Sequence, residues 1–394
     1  MRSRTKGAER VGALTLTRAK LDGFKAVKTS GFVDLKPLTL FIGRNGSGKS
    51  SFVEALQWLQ DAFFSGLLDA TESRFRSYIH LRNRRSNSTT IHLEFDSRGG
   101  KSLYFEVKVR KAAGPTQRPI VVDESLRLGR KKKIISTNKG LKGPVWRRVI
   151  DGSRERDADR LAVYTASVNA HPAIRAISDF LRGMVVLRLS PTSMRFESSL
   201  EQRRGAKLDE EGTGLPALLH SLDRDQREWV RQKVSAVITG LQNVRVTPTG
   251  SSRGYVSATE RIIWRGGSRQ LEIPAWMLSE GTRRMTALFV LLAVRPRPSL
   301  LVIEEIENGL DPWTLEHVFS ELRDASSHGT QVIVTTHSPF LLDHVAVDEV
   351  VHVRRERGDS RYTAIREYGD VVEYEGSVAP GVMYISGYFA SGKE

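Results

Sequence analysis

Apolar and polar residues recur along this chain in blocks that separate into strand-like and helix-like segments. PLTLFI (37–42) is an apolar, β-rich run, and KSSFVEALQWLQDAF (49–63) follows it with apolar residues at helical spacing. TTIHLEFD (89–96), SLYFEVKVR (102–110) and PIVVDESLRL (119–128) read as strands, HPAIRAISDFLRGM (171–184) as a helix and VVLRLS (185–190) as a further strand. DRDQREWVRQKVSAVITGL (223–241) predicts an amphipathic helix. MLSEGTRRMTALFVLLAV (277–294) predicts a long helix, apolar on most faces and therefore buried. LLVI (300–303) and QVIVTT (331–336) have the pattern of strands buried on both faces. DEVVHVRRE (348–356) and SRYTAIREY (360–368) predict one or two more strands.

The first strand and first helix are joined by a stretch that fits G-x-x-x-x-G-K-[ST], with Gly43, Gly48, Lys49 and Ser50 at the defining positions. Backbone N–H groups must wrap a phosphate chain there, and glycine permits the tight dihedrals and close approach. The helix that follows points its positive end at the anion. Gly43, Arg44, Asn45, Gly46, Ser47, Gly48, Lys49, Ser50 and Ser51 are thus the candidate ATP contacts; Lys49 would reach the β/γ-phosphates and Ser50 would ligate Mg2+. The strand LLVI ends in two carboxylates. Glu304 would serve Mg2+ from its second shell, and Glu305 would polarise the attacking water. QVIVTT ends in His337, at the carboxyl end of a strand, where ligands bind in open α/β sheets. Ser279, Glu280 and Gly281 stand at the start of the long apolar helix, again an anion-binding arrangement.

The order phosphate loop, LSEGT (278–282), acidic strand, ENGLDP (307–312) and histidine resembles that of the ABC-class ATPases, with good coverage over about 12–66 and 270–345. The wording LSEGT…LLVIEEIENGLDP…VIVTTHSPFLLD is similar to the OLD-type and RecF-like soluble branch, as are residues 14–56 and LDEEGTGLPALLHSL (208–222). The resemblance implies an α/β ABC-ATPase head (P-loop NTPase) with a mixed central sheet, a β-rich N-terminal arm and an inserted helical lobe. Its expected parts are an N-terminal lobe (1–130), an inserted arm and helical region (131–270) and a C-terminal lobe (271–394). It further implies a head-to-tail homodimer, or a higher assembly of dimers. Ser279 and Gly281 would contact the γ-phosphate held by the other protomer, with Asn308 and Asp311 at the dimer seam. Three positions depart from the family pattern: Glu304 replaces the usual Asp, Glu280 replaces the signature's middle glycine, and no glutamine occupies the Q-loop position. Gln57 and Gln60 lie on the first helix, and the next glutamine is Gln117.

Charge adds a partner. The formal net charge is +16, which points to a polyanion such as nucleic acid. RFRSYIHLRNRR (74–85) has five arginines and no acid: Arg74, Arg76, Arg82, Arg84 and Arg85. Residues 127–148 carry nine Lys/Arg and no acid, with Lys131, Lys132 and Lys133 in a predicted flexible hairpin or loop. Both stretches are candidate phosphate-backbone contacts. Asp157 and Asp159, in RERDADR (154–160), read as a solvated face. The absence of cysteine excludes disulfides and thiol chemistry and suits a cytoplasmic protein. No apolar run is long enough to span a bilayer, and no secretory signal is evident, so no membrane partner is expected. Residues 338–394 are too few for the TOPRIM nuclease domain that follows the ATPase in OLD-type proteins. The resemblance therefore implies an ATPase subunit of an antiphage defence system with a separately encoded effector, such as a TOPRIM nuclease. The alternative is a RecF-like repair or recombination ATPase that clamps DNA on binding ATP.

Overall fold

The strand Leu38–Ile42 is buried at all five positions, as an uninterrupted apolar run requires. It leads through the glycine loop into the helix Lys49–Ser65. These elements come from a computed structural model that describes residues 11–98, 100–113, 118–137, 159–166, 171–201 and 208–390. The chain divides into two compact units. The first comprises Met1–Met184, Ala346–Val378 and Met383–Glu394; the second comprises Val185–Val345 and Ala379–Val382. These boundaries differ from the breaks at 130 and 270 expected from the sequence.

In the first unit, Leu38–Ile42 runs parallel to Val350–Glu356, which pairs antiparallel with Asp359–Ala364, so the pairing is mixed. A six-stranded antiparallel sheet has the order Val27–Asp34, Leu14–Phe24, Ser88–Ser97, Leu103–Lys111, Pro119–Leu128, Lys132–Ser136. The alternation read from SLYFEVKVR is realised: Leu103, Phe105, Val107 and Val109 are buried, and the residues between them are not. The helix Pro172–Gly183 follows its expected span, with Phe180 against Phe95. Asp159 is not simply solvated. Its carboxylate and carbonyl accept the backbone N–H groups of Leu68 and Leu67, the first turn of the helix Leu67–Phe75. Asp157 lies outside the described residues.

The second unit contains three parallel strands in the order Gln331–Thr336, Leu300–Ile303, Val185–Leu187. The expected strand 185–190 stops at Leu187 because the next N–H groups turn away: Arg188 donates to the Glu210 carbonyl and Ser190 to that of Glu211. The helices Glu280–Ala293 and Pro312–Ser327 accompany this sheet. The amphipathic helix is Arg224–Val237, begun by an Asp223/Gln226 capping box and packed against Glu280–Ala293. It ends short of 241, because Gly240 turns left-handed and Leu241 enters a strand. Leu241–Thr249, Arg253–Trp264 and Gly267–Pro274 form an antiparallel sheet, with Ser198–Ser199 pairing on the middle strand. No helix among the described residues is long and apolar enough to cross a membrane.

Candidate nucleotide-binding and catalytic residues

The phosphate loop is built on backbone proximity. A Cβ on Gly43 would fall on the Val353 carbonyl oxygen, and would lie 2.9 Å from Ser47 Oγ. Gly48 caps the helix with φ +113°, and a Cβ there would lie 2.6 Å from Ser360 Cβ. Gly46 also adopts a left-handed φ of +74°. Lys49 is buried, and its Nζ donates to the carbonyl of Gly43 at 2.6 Å and to that of Arg44 at 3.3 Å. The ammonium therefore already lies folded over the loop. Ser47 is buried, and its Oγ has no hydrogen-bond partner among the described residues. An orphaned hydroxyl inside a nest of glycine turns at the start of a long helix fits a phosphate chain. Arg44 and Asn45 are exposed at the tip, while Ser50 and Ser51 lie in the first helical turn.

Sequence reasoning missed the loop's support. Tyr362 donates from its hydroxyl to the Gly48 carbonyl at 2.8 Å and packs its ring on Phe41 and Phe52. Burial pushes its pKa far up, so it stays a neutral donor. Nothing in SRYTAIREY marks that tyrosine as a loop prop, since the contact is made across the fold.

In the second unit the two acids after Leu300–Ile303 have different environments. Glu304 is buried, its N–H donates to the Leu187 carbonyl at 2.9 Å, and its Oε1 accepts from Arg188 Nη2 at 2.6 Å. Glu305 is partly exposed and takes φ +48°, a conformation uncommon for a residue with a side chain. Two bonds hold it. Its N–H donates to Thr335 Oγ1 at 3.0 Å, and Asn308 Nδ2 donates to its Oε2 at 2.7 Å. The adjacent carboxylates thus have different partners, Arg188 for Glu304 and the Asn308 amide for Glu305.

His337 emerges at the end of Gln331–Thr336, as expected. Glu307 holds it: Oε1 accepts the His337 backbone N–H at 2.7 Å and lies 3.0 Å from Nδ1. The other oxygen of Glu307, Oε2, is buried without a hydrogen-bond partner among the described residues. Sequence reading passed over Glu307 because only the fold brings it to the strand end. Its replacement by alanine releases the His337 main chain and ring together. Turnover of Glu307→Ala is expected to fall about tenfold with ATP affinity nearly unchanged, the weight of one charge-assisted hydrogen bond. Steady-state kinetics beside a nucleotide-binding titration checks this.

Ser279 caps Glu280–Ala293, its Oγ accepting the Thr282 N–H at 3.1 Å. A Cβ on Gly281 would fall on the Gly309 carbonyl oxygen, and Gly309, at φ +71°, faces the Glu280 side chain. The LSEGT and ENGLDP segments are therefore in direct contact. Glu280 also pairs with Arg284 at 3.6 Å. Burial lowers the Arg284 pKa, while the charges of Glu280, Glu305 and Glu307 oppose that shift. Asp311 caps Pro312–Ser327, accepting from the Thr314 hydroxyl at 2.6 Å and from the N–H groups of Trp313 and Thr314. The Thr314 hydroxyl is the first cause of its lowered pKa.

The arginines of 74–85 are largely engaged within the protein. Arg74 pairs with Asp61, Arg82 donates to the Ser86 carbonyl at 2.7 Å, and Arg85 meets Asp359 at 2.5 Å. Arg76 and Arg84 are exposed, as are Lys131, at the turn, and Lys132 and Lys133, which stand in the paired strand Lys132–Ser136 rather than in a flexible loop. Residues 138–148 of the second basic stretch lie outside the described residues. So does Gln117. Gln60 is consumed by the carbonyls of Leu181 and Met184, at 2.8 and 2.7 Å, so it is not held out toward a ligand. No group of three or more His, Cys, Asp or Glu that could hold a metal ion occurs among the described residues. A Mg2+ ion held mainly by phosphate and water, with one hydroxyl from the protein and one acid acting through a bound water, needs no such group.

Solved structures of SMC heads share this fold. An SMC head bound to the C-winged helix domain of ScpA is 17% identical at a TM-score of 0.57, over 88% of this chain and 97% of that one. An SMC head with an extended coiled coil, bound to the C-terminal domain of ScpA derived from Pyrococcus furiosus, is 13% identical at a TM-score of 0.56, over 92% and 99%. The chain thus has the fold of an SMC head, with a glycine phosphate loop at the start of Lys49–Ser65. A family model described as "AAA domain, putative AbiEii toxin, Type IV TA system" matches residues 38–343, and the chain belongs to that family. No curated protein matches it.

Proposed function

We propose that this chain is the ATP-hydrolysing switch subunit of a bacterial antiphage defence system. It dimerises head-to-tail around ATP, contacts nucleic acid and controls a separately encoded effector. The observation that carries the catalytic part is Glu305, held in a left-handed turn by Thr335 and Asn308, while Arg188 pairs with the adjacent Glu304. In this reading the Gly43–Ser51 loop binds the phosphates and Lys49 exchanges loop carbonyls for phosphate oxygens. Water attacks the γ-phosphorus, Glu305 takes its proton, the bond to the β-phosphate oxygen breaks and ADP leaves. His337, steadied by Glu307, meets the γ-phosphate. Ser50 and Glu304 would hold Mg2+, which supplies charge neutralisation on the phosphates. Ser279 and Gly281 of one protomer reach the γ-phosphate of the other, so that ATP closes the dimer and hydrolysis opens it.

The family's description, with its toxin–antitoxin link, supports the defence setting. SMC heads with a ScpA domain bound give a precedent of fold for a head that carries a partner protein. The net charge of +16 favours a second reading, a RecF-like ATPase that clamps DNA. Copurification of tagged wild type and Glu305→Gln from the native operon separates the two. A neighbour-encoded nuclease or toxin retained in an ATP-dependent way supports the defence switch. Nucleic acid alone, held more tightly by Glu305→Gln, supports the clamp, and neither species retained on ATP removes both.

Arg188 gives the metal part its own test. Its guanidinium holds one oxygen of Glu304, for which a water on Mg2+ would have to compete. Arg188→Ala is expected to lower the Mg2+ concentration for half-maximal hydrolysis by about two- to fivefold, the weight of one half-exposed ion pair. A Mg2+ titration that leaves the midpoint in place contradicts the competition.

A further inference from the structure

The antiparallel sheet of the second unit narrows toward one end. Its first strand finishes pairing at Leu241↔Glu260, the Arg261 N–H makes a last bond to the Gly240 carbonyl at 2.8 Å, and past it only two strands continue. Four rungs remain: Arg261↔Gln270, Ile262↔Arg269, Ile263↔Ser268 and Trp264↔Gly267, closed by Arg265 and Gly266, the glycine at φ +116°. Every residue from 261 to 272 is exposed. Ile263 is 73% exposed, Trp264 53% and Ile262 43%, on a ribbon where neither face is covered. A row of uncovered apolar side chains on a two-stranded ribbon is costly unless something binds it.

Its charge indicates what binds. Arg261, Arg265 and Arg269 lie on the same short ribbon as Trp264, and the side chains of Arg265 and Arg269 have no hydrogen-bond or ion-pair partner among the described residues. The one acid in 261–272, Glu272, is neutralised by Arg245 and accepts the Thr247 hydroxyl at 2.6 Å. The uncompensated charge of the arm is therefore positive, set beside apolar side chains and the uncharged Ser268 and Gln270. Its shape fits as well. Four rungs project roughly 13 Å. A two-stranded ribbon is one of the elements that the major groove of B-DNA, about 12 Å wide and 8.5 Å deep, admits.

We propose that the Arg261–Gln270 ribbon is a duplex-binding arm that enters the major groove, its arginines meeting phosphates and guanine edges and Trp264 making apolar contact at the tip. This deepens the nucleic-acid part of the proposed function and places the contact on residues outside both basic stretches. The fold supplies the arm, and the sequence alone did not flag it.

The test is fluorescence anisotropy of the full chain with a 30-base-pair duplex, across a salt series. Arg261→Ala/Arg265→Ala/Arg269→Ala is expected to weaken binding at least tenfold and to flatten the log Kd against log salt slope by about 3. Trp264→Ala is expected to weaken binding severalfold without changing that slope. Affinity for a fluorescent ATP analogue, measured on the same preparations, should not move. That separates failure of the arm from failure of the ATPase reading. If the alanine triple variant loses its fold, the matching lysine triple variant replaces it, expected to keep the slope and lose discrimination between duplex sequences. Wild-type duplex binding by the alanine triple variant overturns the proposal. So does loss confined to Lys131→Ala/Lys132→Ala/Lys133→Ala, or a wild type that ignores duplex and uses the ribbon to hold an acidic protein.

Discussion

Glu305→Gln lowers the turnover of ATP by about 10²–10⁴-fold, the usual worth of a positioned general base, and leaves ATP affinity within a few-fold of wild type. The substitution is nearly isosteric, and Gln can still accept the Asn308 amide on its own oxygen, so the turn at φ +48° persists. What is lost is a carboxylate able to take a proton. Single-turnover hydrolysis and equilibrium binding, measured side by side, separate the two effects. Turnover within threefold of wild type would remove Glu305 from the chemistry. Glu305→Gly is the instructive companion. It is equally inactive, yet it relaxes the left-handed backbone and is expected to raise stability by up to about 1 kcal/mol. A less active but more stable variant is the mark of a strained position kept for function.

The second large effect is at Gly43. Gly43→Ala puts a methyl group onto the Val353 carbonyl oxygen and against Ser47 Oγ, and neither can be trimmed because one is backbone and the other belongs to the same loop. Overpacking of this kind costs about 1–3 kcal/mol. The Gly43 carbonyl must then move, and it is the carbonyl that holds Lys49. The displaced loop no longer presents its N–H groups and Lys49 to the phosphates in register, and ATP affinity is expected to fall at least tenfold, the loss of one charge-assisted hydrogen bond to phosphate. Gly46→Ala is the control. Its added Cβ meets nothing within 4 Å, so only the cost of φ +74° remains, about 1 kcal/mol. Thermal melts and ATP titrations on both variants check the contrast; equal losses would refute the packing argument.

Residues close in sequence made the phosphate loop readable. Gly43 to Ser50 act on one another locally, and a buried strand and a helix flank them with their own periodicities. The same holds for Leu300–Ile303 with Glu304 and Glu305, and for Gln331–Thr336 with His337. What stayed hidden depends on distant partners. Glu307 reaches His337, Tyr362 reaches Gly48 and Arg188 reaches Glu304 only once strands are laid side by side. The sheet over 241–274 was also missed, for a different reason. With both faces of its outer end in solvent, the strand shows no alternation of apolar and polar residues to betray it. The arginines of 74–85 illustrate the opposite error. A run of like charge suggests a surface awaiting a ligand, but Asp61 and Asp359 lie elsewhere in the sequence and neutralise two of its members.

The contact between Gly281 and Gly309 ties two evolutionary freedoms into one. No side chain fits at 281 while the 309 carbonyl stays where it is. A bulkier residue at the helix start therefore requires the turn to retreat. Retreat drags the neighbouring Asn308, whose amide fixes Glu305. Substitutions in these two segments are expected to survive only as compensated pairs, and a deep mutational scan should find position 281 intolerant in isolation yet permissive in combination with changes at 308–310.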